Sequence, residues 1–214
     1  MKRLCIFDLD GTLLDTIEDI AHAFNNALVK SGLPTHDISK YRKMLGDGII
    51  KLSIRATGLT PDDDKFKAIV DDFFCFYGKC NSKYTKCYEG IPELLDNLQN
   101  NSVKIAVLSN KPDLFVKTLV AKHLGNINFS YIQGGLESVP LKPDPTSVNN
   151  IILKLKVSKD ETLFIGDSVV DVETAKRAHV SCAAVTWGFQ SKESLINANP
   201  EYIIGKPIDI LNYI

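Results

Sequence analysis

The stretch LCIFDLDG at residues 4–11 constrains this chain more than any other. Leu4, Cys5, Ile6 and Phe7 form an apolar run without alternation, which reads as a strand buried on both faces, as in the parallel sheets of α/β proteins. Asp8 and Asp10 have no place inside such a strand. They belong at its carboxyl end, where Gly11 allows a turn and where open α/β sheets bind their ligands. Two carboxylates this close repel each other, so the site requires a cation, a shared proton or strong hydrogen-bond donors. That remedy has to come from elsewhere in the chain.

After the first strand the periodicity is helical, with no convincing strand before about residue 85. Ile17, Ile20, Ala21, Phe24, Ala27 and Leu28 form one apolar stripe, closed by Gly32 and Pro34. Shorter helices are expected over 38–45 and 49–56. The run TPDDDKF then reads as a helix start, with Thr60 as N-cap, Pro61 in the first position, and Asp62, Asp63 and Asp64 near the positive end of the dipole. That makes the acidic run capping rather than metal binding. Phe66, Ile69, Val70, Phe73, Phe74 and Tyr77 continue at helical spacing.

From Gly90 helices and strands alternate: helices over 92–98, 112–124 and 170–178 and one after Pro145, strands over 103–108, 130–133, 162–165 and 182–185, with a last short one at 202–204. Alternation of this kind implies right-handed crossovers. The expected fold class is therefore α/β, a doubly wound, Rossmann-like parallel sheet with an inserted helical cap domain. The core takes 1–14 and 88–214, and the cap takes 15–87, over the sheet's carboxyl edge on hinges at 14–16 and 84–90.

Composition narrows the partners. A formal net charge of -1 with no basic stripe speaks against nucleic acid. No apolar stretch is long enough to span a bilayer, and Asp8 and Asp10 end the first run too early for a signal peptide. The five cysteines, Cys5, Cys75, Cys80, Cys87 and Cys182, lack metal spacing, which fits reduced thiols in a cytoplasmic protein.

A doubly wound sheet gathers its strand ends, and each end here carries chemistry. Asp8 and Asp10 follow the first strand, Ser109, Asn110 and Lys111 the second, Lys142 the third, and Asp167, Ser168 and Asp171 the fourth. The set combines carboxylates for a hard divalent cation with a hydroxyl, an amide and a lysine suited to a phosphate group. Taken singly, Lys142 is a solvated loop lysine, Ser168 a helix N-cap and Asp171 a first-turn dipole carboxylate; only their joint placement favours a site. His22, His36 and His123 are expected to be solvated and Met44 to lie in the core, while Trp187 and Phe189 either face the site or, the favoured reading, pack.

The segments DLDGT, LSN, LKPDP and GDSVVD resemble the four motifs of the haloacid dehalogenase superfamily, in order and each at a strand end. The resemblance covers nearly the whole chain, and the DGTLLDT start with a small helical cap is most similar to the phosphoglycolate phosphatases. It implies that Asp8 is the nucleophile, forming an aspartyl phosphate, and that Asp10 protonates the leaving alkoxide and later takes a proton from water. It further implies Mg²⁺ held by Asp8, the main-chain carbonyl of Asp10 and Asp167, with Asp171 in support. Such an ion relieves the repulsion between the carboxylates. Ser109 and Lys142 would bind phosphate, with Asn110 orienting it or the nucleophile.

The implied partner is a small phosphorylated metabolite, with phosphoglycolate first and pyrophosphate, nucleoside monophosphates and sugar phosphates as alternatives, acted on by a monomer or homodimer. Dehalogenases of the superfamily lack the carboxylate found at Asp10, and its sugar-phosphate mutases carry a histidine where this chain has Ile20. Phosphonate-cleaving relatives use a cap lysine and a different first motif; Lys30 is the one lysine in that helix. In RKMLGDGI, Arg42 or Lys43 either meets a substrate carboxylate or is a solvated basic residue. A receiver-type phospho-acceptor shares the acidic pair, the hydroxyl and the lysine, but lacks both a cap and the GDSVVD segment.

Overall fold

Strand β1 (Leu4–Phe7) is fully buried and sits in the middle of a six-stranded sheet of order β5-β4-β1-β6-β7-β8 in a computed structural model that describes residues 1–80 and 82–214. It pairs with β4 (Lys104–Pro112) and β6 (Thr162–Gly166); β5 (Tyr131–Gly135) lies beyond β4, and β7 (Ser181–Val185) and β8 (Tyr202–Ile204) lie beyond β6, every pair parallel. Two short strands, β2 (Leu14–Asp15) and β3 (Lys86–Cys87), form a separate ribbon. The chain divides within that ribbon into two compact units, Met1–Leu14 with Cys87–Ile214, and Asp15–Lys86.

The unbroken apolar runs are explained by the two faces they serve. Side chains alternate across a strand, so Cys5, Phe7, Ile105, Val107, Leu163 and Ile165 pack on one face with Leu94, Leu98, Val116 and Val120, from α5 (Ile91–Asn100) and α6 (Asp113–His123). Leu4, Ile6, Ala106, Leu108 and Phe164 pack on the other with Val148, Ile151, Val172 and Ala175, from α7 (Thr146–Leu155) and α8 (Val169–Ala178). Cys5 and Cys182 are small hydrophobes in these layers, and burial pushes the Cys5 thiol up to about 12. A short α9 (Lys192–Asn197) and a terminal 3-10 turn (Pro207–Tyr213) complete the unit. Among the described residues no helix is long and apolar enough to cross a membrane.

The second unit is helical: α1 (Ile17–Lys30), α2 (Ile38–Tyr41), α3 (Ile49–Thr57) and α4 (Asp64–Lys79). The expected stripes of α1 and α4 meet, with the Phe24 and Phe73 rings 5.5 Å apart. Three expectations change here. Helix α2 ends at Tyr41, because residues 42–48 turn through Gly46 and Gly48 at positive φ. The N-cap of α4 is Asp63, whose side chain accepts from Lys65 N, while Thr60 closes the preceding turn by accepting from Asp63 N at 3.0 Å. His36 is not solvated: its Nε2 lies 2.7 Å from the Ala56 carbonyl, and its main chain exchanges two hydrogen bonds with the Asn25 side chain.

Candidate active site

The carboxyl edge of the sheet around β1 gathers side chains from four segments. Asp8 follows β1 directly, and its Oδ1 accepts from Leu9 N at 2.7 Å and lies 2.9 Å from Lys142 Nζ. Its Oδ2 makes no hydrogen bond among the described residues, which leaves one oxygen held and one presented. Asp167 follows the glycine that ends β6; it accepts from Thr12 Oγ1 at 3.1 Å and from Phe189 N at 2.7 Å. Asp171 sits in the first turn of α8, where it accepts from Ser168 N and Oγ and from Lys142 Nζ at 2.7 Å.

Ser168 and Asp171 form a capping box in which Ser168 is the N-cap of α8 and Asp171, the carboxylate at N3, is also the partner of Lys142. Asp8, Asp167 and Asp171 are all buried, with one oxygen from each lying within 4.8 Å of the others. Burial pushes the Asp8 and Asp167 carboxyls upward, and the neighbouring carboxylates add to the shift. Burial opposes the charge on Lys142, but Asp171 and Asp8 outweigh it and hold the ammonium charged.

Strand β4 is longer than its apolar run, and it carries Ser109, Asn110 and Lys111 inside the strand rather than after it. The register to β5 shifts between Leu108 and Pro112, an irregularity of the kind that re-aims side chains next to sites. Ser109 is buried, and its Oγ accepts from Lys111 N at 3.3 Å. Asn110 grips the main chain of Lys142 from both ends of its amide, donating to the carbonyl at 2.9 Å and accepting from the N–H at 2.8 Å. It thereby fixes where Lys142 starts. Asp10 stands apart from the carboxylate trio: both its oxygens lie 3.0 Å from Lys111 Nζ.

The trio fits a hard divalent cation. One buried ammonium against three buried carboxylates leaves two negative charges, and every donor is oxygen. Two glycines make the approach possible. A Cβ on Gly11, which has φ +85, would lie 2.3 Å from Asp167 Oδ2, and one on Gly188 would lie 2.3 Å from Asp167 Cβ and from the Gly11 carbonyl.

The family model described as haloacid dehalogenase-like hydrolase matches residues 5–185. The chain belongs to that family. This hydrolase is 32% identical over 216 residues to phosphoglycolate phosphatase 1 of Pseudomonas aeruginosa, covering 99% of this chain and 79% of the relative. It is 29% identical to phosphoglycolate phosphatase of Pectobacterium atrosepticum, over 96% of this chain and 89% of that one. A solved structure described as a predicted phosphoglycolate phosphatase from Haemophilus somnus matches with a TM-score of 0.91 and 28% identity, covering 99% of this chain and 97% of that one.

Several contacts that build the candidate site cannot be read from sequence. Thr12 and the Phe189 N–H hold Asp167, and Trp187, for which packing is the favoured expectation over facing the site, donates its Nε1 to the Thr12 carbonyl at 3.0 Å. Lys111 was visible at a strand end, but its partner was not. Main-chain donors leave no trace in side-chain identity, so only WGF at 187–189, just past β7, was available as a signal. Arg42 lies in the helical unit, exposed, as the residue that follows α2.

Proposed function

We propose that this hydrolase is a Mg²⁺-dependent phosphatase acting on a small phosphate monoester, phosphoglycolate first, through an aspartyl phosphate on Asp8. The observation that carries the reading is Asp8 itself: one oxygen is held by Leu9 N and Lys142, and the residue belongs to a buried carboxylate trio whose two residual negative charges a divalent cation would balance. The names of the relatives point to the same substrate.

In this reading Asp8 Oδ2 attacks phosphorus, the P–O ester bond breaks, and its electron pair leaves with the alcohol oxygen, which takes a proton from Asp10. Asp10 then accepts a proton from water as the water oxygen bonds to phosphorus, and the Asp8 carboxylate is released with inorganic phosphate. Lys142, set in place by Asn110, opposes the negative charge of the phosphoryl oxygens, and Ser109 supplies a hydroxyl beside it. Mg²⁺, when bound by Asp8, Asp167 and the main chain of Asp10 with Asp171 in support, supplies a Lewis acid for those same oxygens.

The test is phosphate release from a panel containing 2-phosphoglycolate, pyrophosphate, nucleoside monophosphates and sugar phosphates, with Mg²⁺ and with excess chelator. Asp8→Asn should abolish both turnover and phosphoenzyme. Asp10→Asn should lose about 10²–10⁴-fold on alkyl phosphates and far less on p-nitrophenyl phosphate, whose leaving group needs no proton. Full activity in chelator, a phosphoryl label on Ser109, or identical behaviour of the two variants on every leaving group would overturn the assignment. On the same panel, a double variant of Arg42 and Lys43 to alanine reorders the substrates if the helical unit selects the leaving group, and leaves the order intact if these residues are only solvated.

A further inference from the structure

Trp187 carries an indole N–H that the phosphatase chemistry described above does not use. Its Nε1 donates to the Thr12 carbonyl at 3.0 Å across 175 residues of chain, and its partly buried ring packs on the hydrophobic layer that holds Phe7 and Val185. The two segments it joins are the two that hold Asp167: Thr12 Oγ1 donates to one carboxylate oxygen at 3.1 Å, and Phe189 N donates to the other at 2.7 Å. We infer that Trp187 is a positioning residue for the metal site, whose N–H orients Asp167 by locking the loop after β7 to the turn after β1.

The inference rests on the proposed function, in which Asp167 binds Mg²⁺. That ion demands near-ideal octahedral geometry, so a ligating carboxylate has to be held in orientation, and losing a donor to such a ligand typically costs about 10–100-fold in metal affinity. Two donors from separate segments orient a carboxylate only if the segments keep their places. Gly11 and Gly188 let the segments touch, since a Cβ on Gly188 would lie 2.3 Å from the Gly11 carbonyl. Such contact has no direction along the segments, whereas a hydrogen bond does. The indole bond ends on Thr12, which is itself one donor, and starts two residues before Phe189, the other. Loosening it therefore displaces both donors at once.

The experiment is isothermal titration calorimetry with Mg²⁺, in the absence of substrate, on the wild type, Trp187→Phe and Trp187→His. Phenylalanine keeps the aromatic bulk and loses the donor. Histidine loses the six-membered ring, and its Nε2–H takes the place of the indole N–H. Trp187→Phe should raise the Mg²⁺ dissociation constant about three- to tenfold, and Trp187→His should stay within about twofold of the wild type. Unchanged affinity in both variants, equal losses, or a larger loss in Trp187→His would make the indole a packing group and overturn the inference. If Trp187→Phe does not fold, Trp187→His still decides, because an indole that works through its bulk loses Mg²⁺ affinity there too. A wild type that binds no Mg²⁺ overturns the metal dependence in the proposed function, and the inference with it.

Discussion

Gly188 has no side chain because there is no volume for one: a Cβ there would collide with Asp167 and with the Gly11 carbonyl. Gly188→Ala should destabilise the protein by about 1–3 kcal/mol and cut activity, read by denaturant melts and by phosphate release. Asp167 is the residue at which metal can be read without turnover. Saturating Mg²⁺, at about 100 times its dissociation constant, should raise Tm by roughly 5–10 °C in the wild type. Asp167→Asn should lose most of that shift, and an unchanged shift would remove Asp167 from the metal site. At this scale the acidic and basic residues of the site stand in the sequence, because a charge in an apolar run is conspicuous. Phe189 N, Thr12 and the Asp10–Lys111 pair do not, because a donor from the main chain, or a partner 101 residues away, has no local signature.

At the scale of elements, two helix starts carry predictions. Asp63→Ala should cost about 1 kcal/mol by removing the cap of α4, whereas Thr60→Ala, whose side chain plays no part in that cap, should cost less. Equal costs would return the cap to Thr60. At the start of α6, Asp113 accepts from Gly134 N at 2.9 Å and pairs with Lys117 at 2.6 Å. Partial burial pushes its carboxyl up, but those two partners prevail and hold it below the ordinary value. A depressed carboxyl contributes stability that is fully present above the unfolded value and lost as pH falls through the folded one. Asp113→Asn should therefore be less stable than the wild type by about 1 kcal/mol at neutral pH, and denaturant melts should show the gap closing as pH falls below about 4. The α4 start differs from expectation because TPDDD offers several side chains able to cap, and which of them has its oxygen over the first free N–H depends on the turn before it.

At the scale of the molecule, both hydrophobic layers of the sheet are built from residues outside 15–86, and β2 and β3 bring the two crossings of the boundary, Leu14 and Cys87, onto neighbouring strands. Deleting 15–86 and closing Leu14 to Cys87 with a short glycine-serine linker should leave a protein with a single cooperative thermal transition; a molten deletion variant by near-UV circular dichroism would show that the helical unit is needed for folding. The sequence by itself determined the parallel sheet, the helical insertion and the acidic cluster. Unbroken apolar runs have one stable home, between two helical layers, and ionisable residues directly after them can only sit at the strand ends. Tertiary structure alone decided how far β4 runs, that Asp171 completes the capping box of α8 while holding Lys142, and that Lys111 is set on Asp10 rather than in the trio. Those outcomes depend on angstrom-scale distances between segments far apart in the chain, and neither periodicity nor spacing encodes them.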